Sequence, residues 1–265
     1  MEKNILLTIA YDGSGFSGWQ KQPGVLTVQG CIEEALSRLC GEKIQINGTS
    51  RTDAGVHARG QRASFKTDLK LPIERLPMVI NNMMASGEKS SFQISPVRIT
   101  AAEEKPSGFH ARFDAVGKKY IYRIRDGGNY DVFRRNYFYQ IRDALNIEAM
   151  KEAAFFLKGT GDFKSFEASG GTPRKTTVRT IYGLEIKSRE DKKGRTVEIH
   201  IKGDGFLYNM VRIIAGTLVE AGRGDIAPGH VKSVMEARDR RAAGHTAPPW
   251  GLCLEEVYYS EEQLK

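Results

Sequence analysis

The chain has 265 residues, 40% of them hydrophobic and 27% charged, with mean hydropathy −0.42. That balance excludes a membrane-embedded or disordered chain and suffices for one large or two ordinary domains. Forty basic against 32 acidic residues leave a net charge of +8, which favours polyanionic partners.

In chain order, "NILLTIAYDG" predicts a buried strand, because both alternate sets, Ile5/Leu7/Ile9 and Leu6/Ala10, are largely apolar. This apolar run is far shorter than a signal-peptide core and no later run could span a bilayer, so a cytoplasmic protein without membrane association is expected. Thr27 can cap a helix in which Val28, Cys31, Ile32, Ala35, Leu36 and Leu39 keep helical spacing, with Gly41 as its stop. "KIQING" alternates Ile44 and Ile46 and predicts a strand that delivers the chain into "GTSRTDAGVHA", leaving Asp53 in a loop just beyond a strand end. A strand at "QRASFKT", a helix around Pro72 to Ala85 and a strand near "FQISPVRI" complete a first half.

The second half opens with a strand, "GKKYIYRIR", in which Tyr120, Tyr122 and Ile124 share a face away from Lys119, Arg123 and Arg125. Asn146 caps a helix carrying Ile147, Met150, Ala154 and Leu157, with Gly159 after it. "RTIYGLEIKS" and "RTVEIHIKG" form a hairpin about a longer turn, "REDKKG". Helices at Met210 to Ala221 and Pro228 to Arg238 and a strand at "GLCLEEVYY" close the chain. The expected fold is α+β: two similar sandwich-like halves of mostly antiparallel sheet flanked by helices, divided as 1–105 and 106–265. No sequence repeat is visible, so the likeness of the halves rests on element order.

Basic residues gather in "RTDAGVHARGQR", "GKKYIYRIR", "FRRNY" and "TPRKTTVR", with Tyr and Phe between them, a pattern suited to gripping phosphates and stacking bases. Cys31, Cys40 and Cys253 form no C-x-x-C pair, and His57, His110, His200, His230 and His245 have no metal-ligand spacing, so no metal site is expected. "DGSGFSG" lacks the Lys-Ser/Thr of a phosphate loop and "GRGDIAPG" matches no nucleotide fingerprint; both read as plain loops. On its own, Asp53 reads as a turn-former, since Asp-Ala-Gly is good turn chemistry.

Six segments taken together change that reading. "YDGSGFSGWQKQ", "GTSRTDAGVHARGQ", "GFHARFDAVGKKYIYRI", "DFKSF", "GFLYNMVRIIAGTLVEAGRG" and "GLCLEEVYY" resemble the tRNA pseudouridine synthase A family, in the family's order and over nearly the whole chain. The resemblance implies a pseudouridine synthase fold with its active-site cleft between the halves. It also implies isomerisation of uridine to pseudouridine in the anticodon arm of tRNA, at positions 38, 39 and 40, by a homodimer without cofactor. Three departures stand out: "INNMMASGEKSSFQIS" lacks the family's proline after Met84, Cys253 replaces a larger residue, and Thr49-Ser50 replace a commoner small pair near Asp53.

The reaction breaks the C1′–N1 glycosidic bond, turns the uracil and rejoins it through C5, so it needs no redox agent or group donor. It does need an ionised nucleophile or base at the sugar–base junction, and an Asp with an ordinary pKa of ~3.9 is ionised at neutral pH. The resemblance assigns that role to Asp53, with attack at C6, attack at C1′ and removal of the C2′ proton as the open routes. Gly55 beside it supplies positive φ or close approach of a ribose. Arg212 shares a helix face with Ala215, Gly216 and Val219, which leaves room for another backbone, and by resemblance it is the partner of Asp53. Extruding a stacked uridine takes ~a few kcal/mol, and Arg51 is placed to fill the vacated space or hold the flipped nucleotide. The resemblance sets Tyr120 over the flipped uracil with its hydroxyl near the C5 proton, and Lys119 and Arg112 join it in binding substrate. Two other classes compete. A non-catalytic RNA-binding protein or chaperone would have no use for an Asp in a basic groove. A glycosidase would need a second carboxylate, which Asp162 or Asp204 could supply only through the fold.

Overall fold

The computed structural model describes residues 2–85, 95–171, 175–192 and 194–264, arranged as two compact units: 1–115 with 254–259, and 116–253 with 260–265.

In the first unit the strand β1 (Lys3–Tyr11) buries Ile5, Leu6, Leu7 and Ile9, which accounts for its apolar residues on both alternate sets. The helix α1 (Val28–Cys40) starts where the Thr27 hydroxyl accepts from Gly30 N and stops at Gly41 in the left-handed region. The expected strand over 43–48 is reduced to β2 (Asn47–Gly48). The reason lies in α1: Ile44 N donates to Ser37 Oγ (2.9 Å) and Ile46 N to Glu33 Oε1 (3.1 Å), so helix side chains satisfy donors that a ladder would have used. Ile44 and Ile46 are buried all the same, which is why they alternate.

Next come β3 (His57–Thr67), a 3-10 turn at Ile73–Arg75, α2 (Leu76–Ala85) and β4 (Val97–Lys105). The strand expected near "FQISPVRI" therefore begins later and runs further. Residues 92–94 of it, and most of the altered segment after Met84, lie outside the described residues. β1 pairs antiparallel with β3 from Lys3↔Thr67 and with β4 from Asn4↔Lys105, and β2 lies on β3.

The second unit begins with β5 (Gly117–Asp126) and β6 (Tyr139–Gln140), which pair in parallel. After α3 (Ile147–Phe155), capped by Asn146, come β7 (Gly159–Asp162), β8 (Val178–Asp191) and β9 (Gly194–Gly203). The strand order is β5-β9-β8-β7, antiparallel throughout. The hairpin is tighter than its sequence suggests, because β8 and β9 stay paired out to Asp191↔Gly194; Lys193 lies outside the described residues. Arg125, 4% exposed, donates to Asp191 Oδ2 (2.8 Å) and to Thr196, pinning the end of that hairpin.

The helix α4 (Met210–Arg223) is buried on most sides and packs on α3 and β5, and α5 (His230–Ala237) packs on β7. A Cβ on Gly216 would stand 1.9 Å from His245 O, so the chain at 243–247 lies directly on α4, the close approach its small residues foretold. β10 (Leu252–Tyr258) ends the fold, and its residues from Leu254 on belong to the first unit, beside β3. Both units are thus α+β with mostly antiparallel sheet, as expected.

Candidate active site

Asp53 sits on a turn between β2 and β3 that is anchored at its entry, middle and exit. At the entry, buried Gln61 of β3 accepts from Ser50 N (3.2 Å) and donates to Ser50 O (2.7 Å), and Thr49 N donates to Arg62 O (2.8 Å). The Thr49 hydroxyl lies within bonding distance of Arg62 O, Ala111 O (2.9 Å) and the Tyr259 hydroxyl (3.0 Å). Burial, against the opposing pull of Thr49 and Arg62, pushes the Tyr259 pKa up to about 12, which keeps it a neutral strut. The departures Thr49 and Ser50 therefore serve as anchors of the turn.

At the exit, Val56 N donates to Asp53 O (3.1 Å), closing a four-residue turn whose third position, Gly55, has φ +80°. A Cβ on Gly13 would stand 2.1 Å from Val56 O, so the chain after β1 touches the turn here too. The middle is gripped by that same stretch. Trp19 N donates to Thr52 O (3.0 Å), and the hydroxyls of Tyr11 and Thr52 share a 2.7 Å hydrogen bond. Gly18, at φ +88°, lies so close that a Cβ would stand 2.7 Å from Thr52 O. "DGSGFSGW", read from sequence as a plain loop, is the clamp on the candidate catalytic turn. Its signal was three glycines leading into an aromatic, Trp19, that proves 1% exposed. With the backbone so held, Asp53 remains half-buried and Arg51 exposed.

Arg112 lies in the same unit, exposed, in a short turn where its N donates to His110 Nδ1 and its guanidinium lies 5.9 Å from the Phe113 ring centroid. Lys119, Tyr120 and Arg212 belong to the second unit. Tyr120, 8% exposed, meets the Phe206 ring edge-on at 5.3 Å. Tyr122, two residues along the same face, donates to Pro248 O (2.8 Å); burial raises its pKa well above the ordinary phenol range while the charge of nearby Arg212 pulls the other way. Arg212 stands in the first turn of α4, which starts from Asn209 in the left-handed region. Its Nε donates to Ala247 O (2.8 Å), an Nη to Asn209 Oδ1 (2.8 Å), and Ala247 N donates back to Arg212 O. Two fixed bonds hold the guanidinium in one orientation.

The basic clusters are less free than their sequence suggests. Arg62 pairs with Glu103, Arg123 with Glu198 (3.1 Å) and Arg125 with Asp191, so these charges serve the fold. Arg51 and Arg112 stay exposed, Arg59, 70% exposed, lies 4.0 Å from Glu255, and Lys119 is half-buried; residues 172–174 of "TPRKTTVR" lie outside the described residues. Asp162 and Asp204, the candidates for a second carboxylate, are engaged in the fold: Asp162 accepts from Lys164 N and pairs with Arg238 (3.1 Å), and Asp204 accepts from Thr180 N. Among the described residues no three His, Cys, Asp or Glu side chains are grouped to hold a metal. His57 accepts from Gly13 N, and His200 and His245 lie against Glu198 and Glu220. No helix among them is long and apolar enough to cross a membrane.

Comparison with known proteins bears on the whole chain. The family model described as tRNA pseudouridine synthase matches it twice, over residues 7–114 and 153–260, which supports two similar halves. Three similar relatives are each named tRNA pseudouridine synthase A. The Brevibacillus brevis protein is 45% identical over 257 residues, the Ruminiclostridium cellulolyticum protein 44% and the Caldicellulosiruptor bescii protein 41%. Each alignment covers 97% of this chain and 100% of the relative. With the family model spread over both halves and relatives matched along their full lengths, this chain belongs to the tRNA pseudouridine synthase family.

Proposed function

We propose that this chain isomerises uridine to pseudouridine in the anticodon arm of tRNA, at positions 38, 39 and 40, with Asp53 as the reacting carboxylate. The observation that carries the reading is the family match, which includes the segment around Asp53, together with a turn whose every flank is tethered to the scaffold. A reacting group held by preset bonds loses little freedom when substrate arrives, the condition under which positioning contributes most to rate. Arg51, Tyr120 and Arg212 support the carboxylate and the extruded base, and Lys119 and Arg112 help to hold the RNA. The unit of residues 1–115 and 254–259 bears Asp53, and the unit of residues 116–253 and 260–265 bears Tyr120 and Arg212. The enzyme works as a cytoplasmic homodimer.

The chemistry needs neither electron acceptor nor group donor, because substrate and product are isomers. Asp53 acts as nucleophile or base at the sugar–base junction, the glycosidic bond breaks, the uracil returns through C5, and the proton lost from C5 is balanced by one taken up at N1. The test is pseudouridine mapping in total tRNA from a strain lacking this protein, complemented with wild type or with Asp53→Asn. Loss at positions 38 to 40, restored by wild type and not by Asp53→Asn, is the expected result. Unchanged modification in the deletion strain overturns the reading of substrate, and restoration by Asp53→Asn overturns the role of Asp53.

A further inference from the structure

We propose that Tyr11 is a positioning residue for the isomerisation, its hydroxyl latched to the Thr52 hydroxyl to hold the neighbouring Asp53 in its reactive placement. This rests on Asp53 being the reacting carboxylate and extends the machinery to a residue 42 positions away in sequence.

Most tethers on the turn use backbone or steric fit: Trp19 N on Thr52 O, Gly18 against Thr52 O, Gly13 against Val56 O. The Tyr11–Thr52 bond joins two side chains, both buried, at the residue next to Asp53. Tyr11 is well suited to hold its end still. It closes β1, paired with Ala58 on one side and Val97 on the other, at a point where the pairing with β3 shifts register, and its ring lies 6.0 Å from that of buried Trp19. A buried hydroxyl left without its partner is costly, so once paired the two oxygens define one rotamer for Thr52. Removing either oxygen leaves the Trp19 N bond and the glycine contacts in place. The fold then survives while the peptide leading into Asp53 gains freedom. A misplacement of about 1 Å costs ~10²-fold in rate.

The experiment measures single-turnover tritium release from C5-labelled tRNA and tRNA affinity for Tyr11→Phe, Thr52→Val, the double variant and Thr52→Ser, with Asp53→Asn alongside. We expect Tyr11→Phe and Thr52→Val each to lower the single-turnover rate by ~10–100-fold with tRNA Kd changed less than about 2-fold. The double variant should be no slower than the worse single one, because both remove the same bond. Thr52→Ser, which keeps the hydroxyl, should recover most of the rate; a merely space-filling role would not separate Ser from Val in this direction. If Tyr11→Phe fails to fold, the comparison of Thr52→Val with Thr52→Ser carries the test. The latch is overturned if Asp53→Asn is inactive while Tyr11→Phe or Thr52→Val turns over at the wild-type rate, or if Thr52→Ser is as slow as Thr52→Val. Activity in Asp53→Asn would overturn the underlying reading instead, and the latch with it.

Discussion

Gly18→Ala adds one methyl group at the point where the chain after β1 grips the candidate catalytic turn. Two costs follow from the structure. Gly18 has φ +88°, a region that disfavours side chains by ~1–2 kcal/mol, and its new Cβ would stand 2.7 Å from Thr52 O, 3.2 Å from Ala54 N and 3.2 Å from Asp53 C. All three are backbone atoms, so nothing flexible can yield, and overpacking of this kind costs ~1–3 kcal/mol. The sum, ~2–5 kcal/mol, lowers the thermal midpoint by roughly 5–15 °C for a domain of this size. The contact falls on the peptides flanking Asp53, so the single-turnover rate should also drop, by ~10²-fold for a shift near 1 Å. Gly15→Ala is the control: nothing lies within 4 Å of its Cβ, and its stability should change by no more than ~0.5 kcal/mol. Thermal unfolding by circular dichroism and single-turnover tritium release read the two effects. A Gly18→Ala protein with the wild-type midpoint and rate would refute the clamp.

Tyr120→Phe keeps the ring that meets Phe206, so tRNA Kd should hold within about 2-fold while single-turnover rate falls ~10²–10⁴-fold; wild-type turnover would show that the hydroxyl moves no proton. Arg212→Lys keeps the charge but cannot reach Ala247 O and Asn209 Oδ1 together, and kcat should fall at least ~10-fold with tRNA affinity little changed; full activity would refute a need for the fixed fork. Burial alone would raise the pKa of Glu198, yet the bond from His200 and the charge of Arg123 outweigh it and hold the carboxyl below its ordinary value. A carboxylate depressed in the folded state stabilises above its unfolded pKa, ~4.3, and loses that contribution as pH falls through the folded value. Glu198→Gln should therefore be less stable than wild type in urea at pH 7, with the gap closing below about pH 4; a gap independent of pH would refute the pairing.

How much could be read in the sequence follows the distance over which each feature is encoded. Helix α1 is legible because Thr27, Gly41 and the apolar spacing between them lie within one element, and the same holds for α3 with its Asn146 cap. Strand β1 shows in a continuous apolar run and β5 in its alternation, and the bend carrying Asp53 shows in Asp-Ala-Gly, with Gly55 at the required positive φ. The six segments that tie Asp53, Tyr120 and Arg212 to a family are likewise short and local. Where a partner lies far along the chain, the sequence misleads or is silent. The strand expected over 43–48 yields to side chains of Glu33 and Ser37, and Arg62, Arg123 and Arg125 look like RNA contacts until Glu103, Glu198 and Asp191 are folded against them. The clamp by Tyr11, Gly18 and Trp19 on Thr52, and the return of residues 254–259 to the first unit, belong to the same class. Caps, turns and periodicity arise from bonds between near neighbours, so the sequence alone determined most of the elements and the bend that carries Asp53. Which charges are used up, and what holds that turn still, depend on contacts between residues tens of positions apart, and only the tertiary structure decided them.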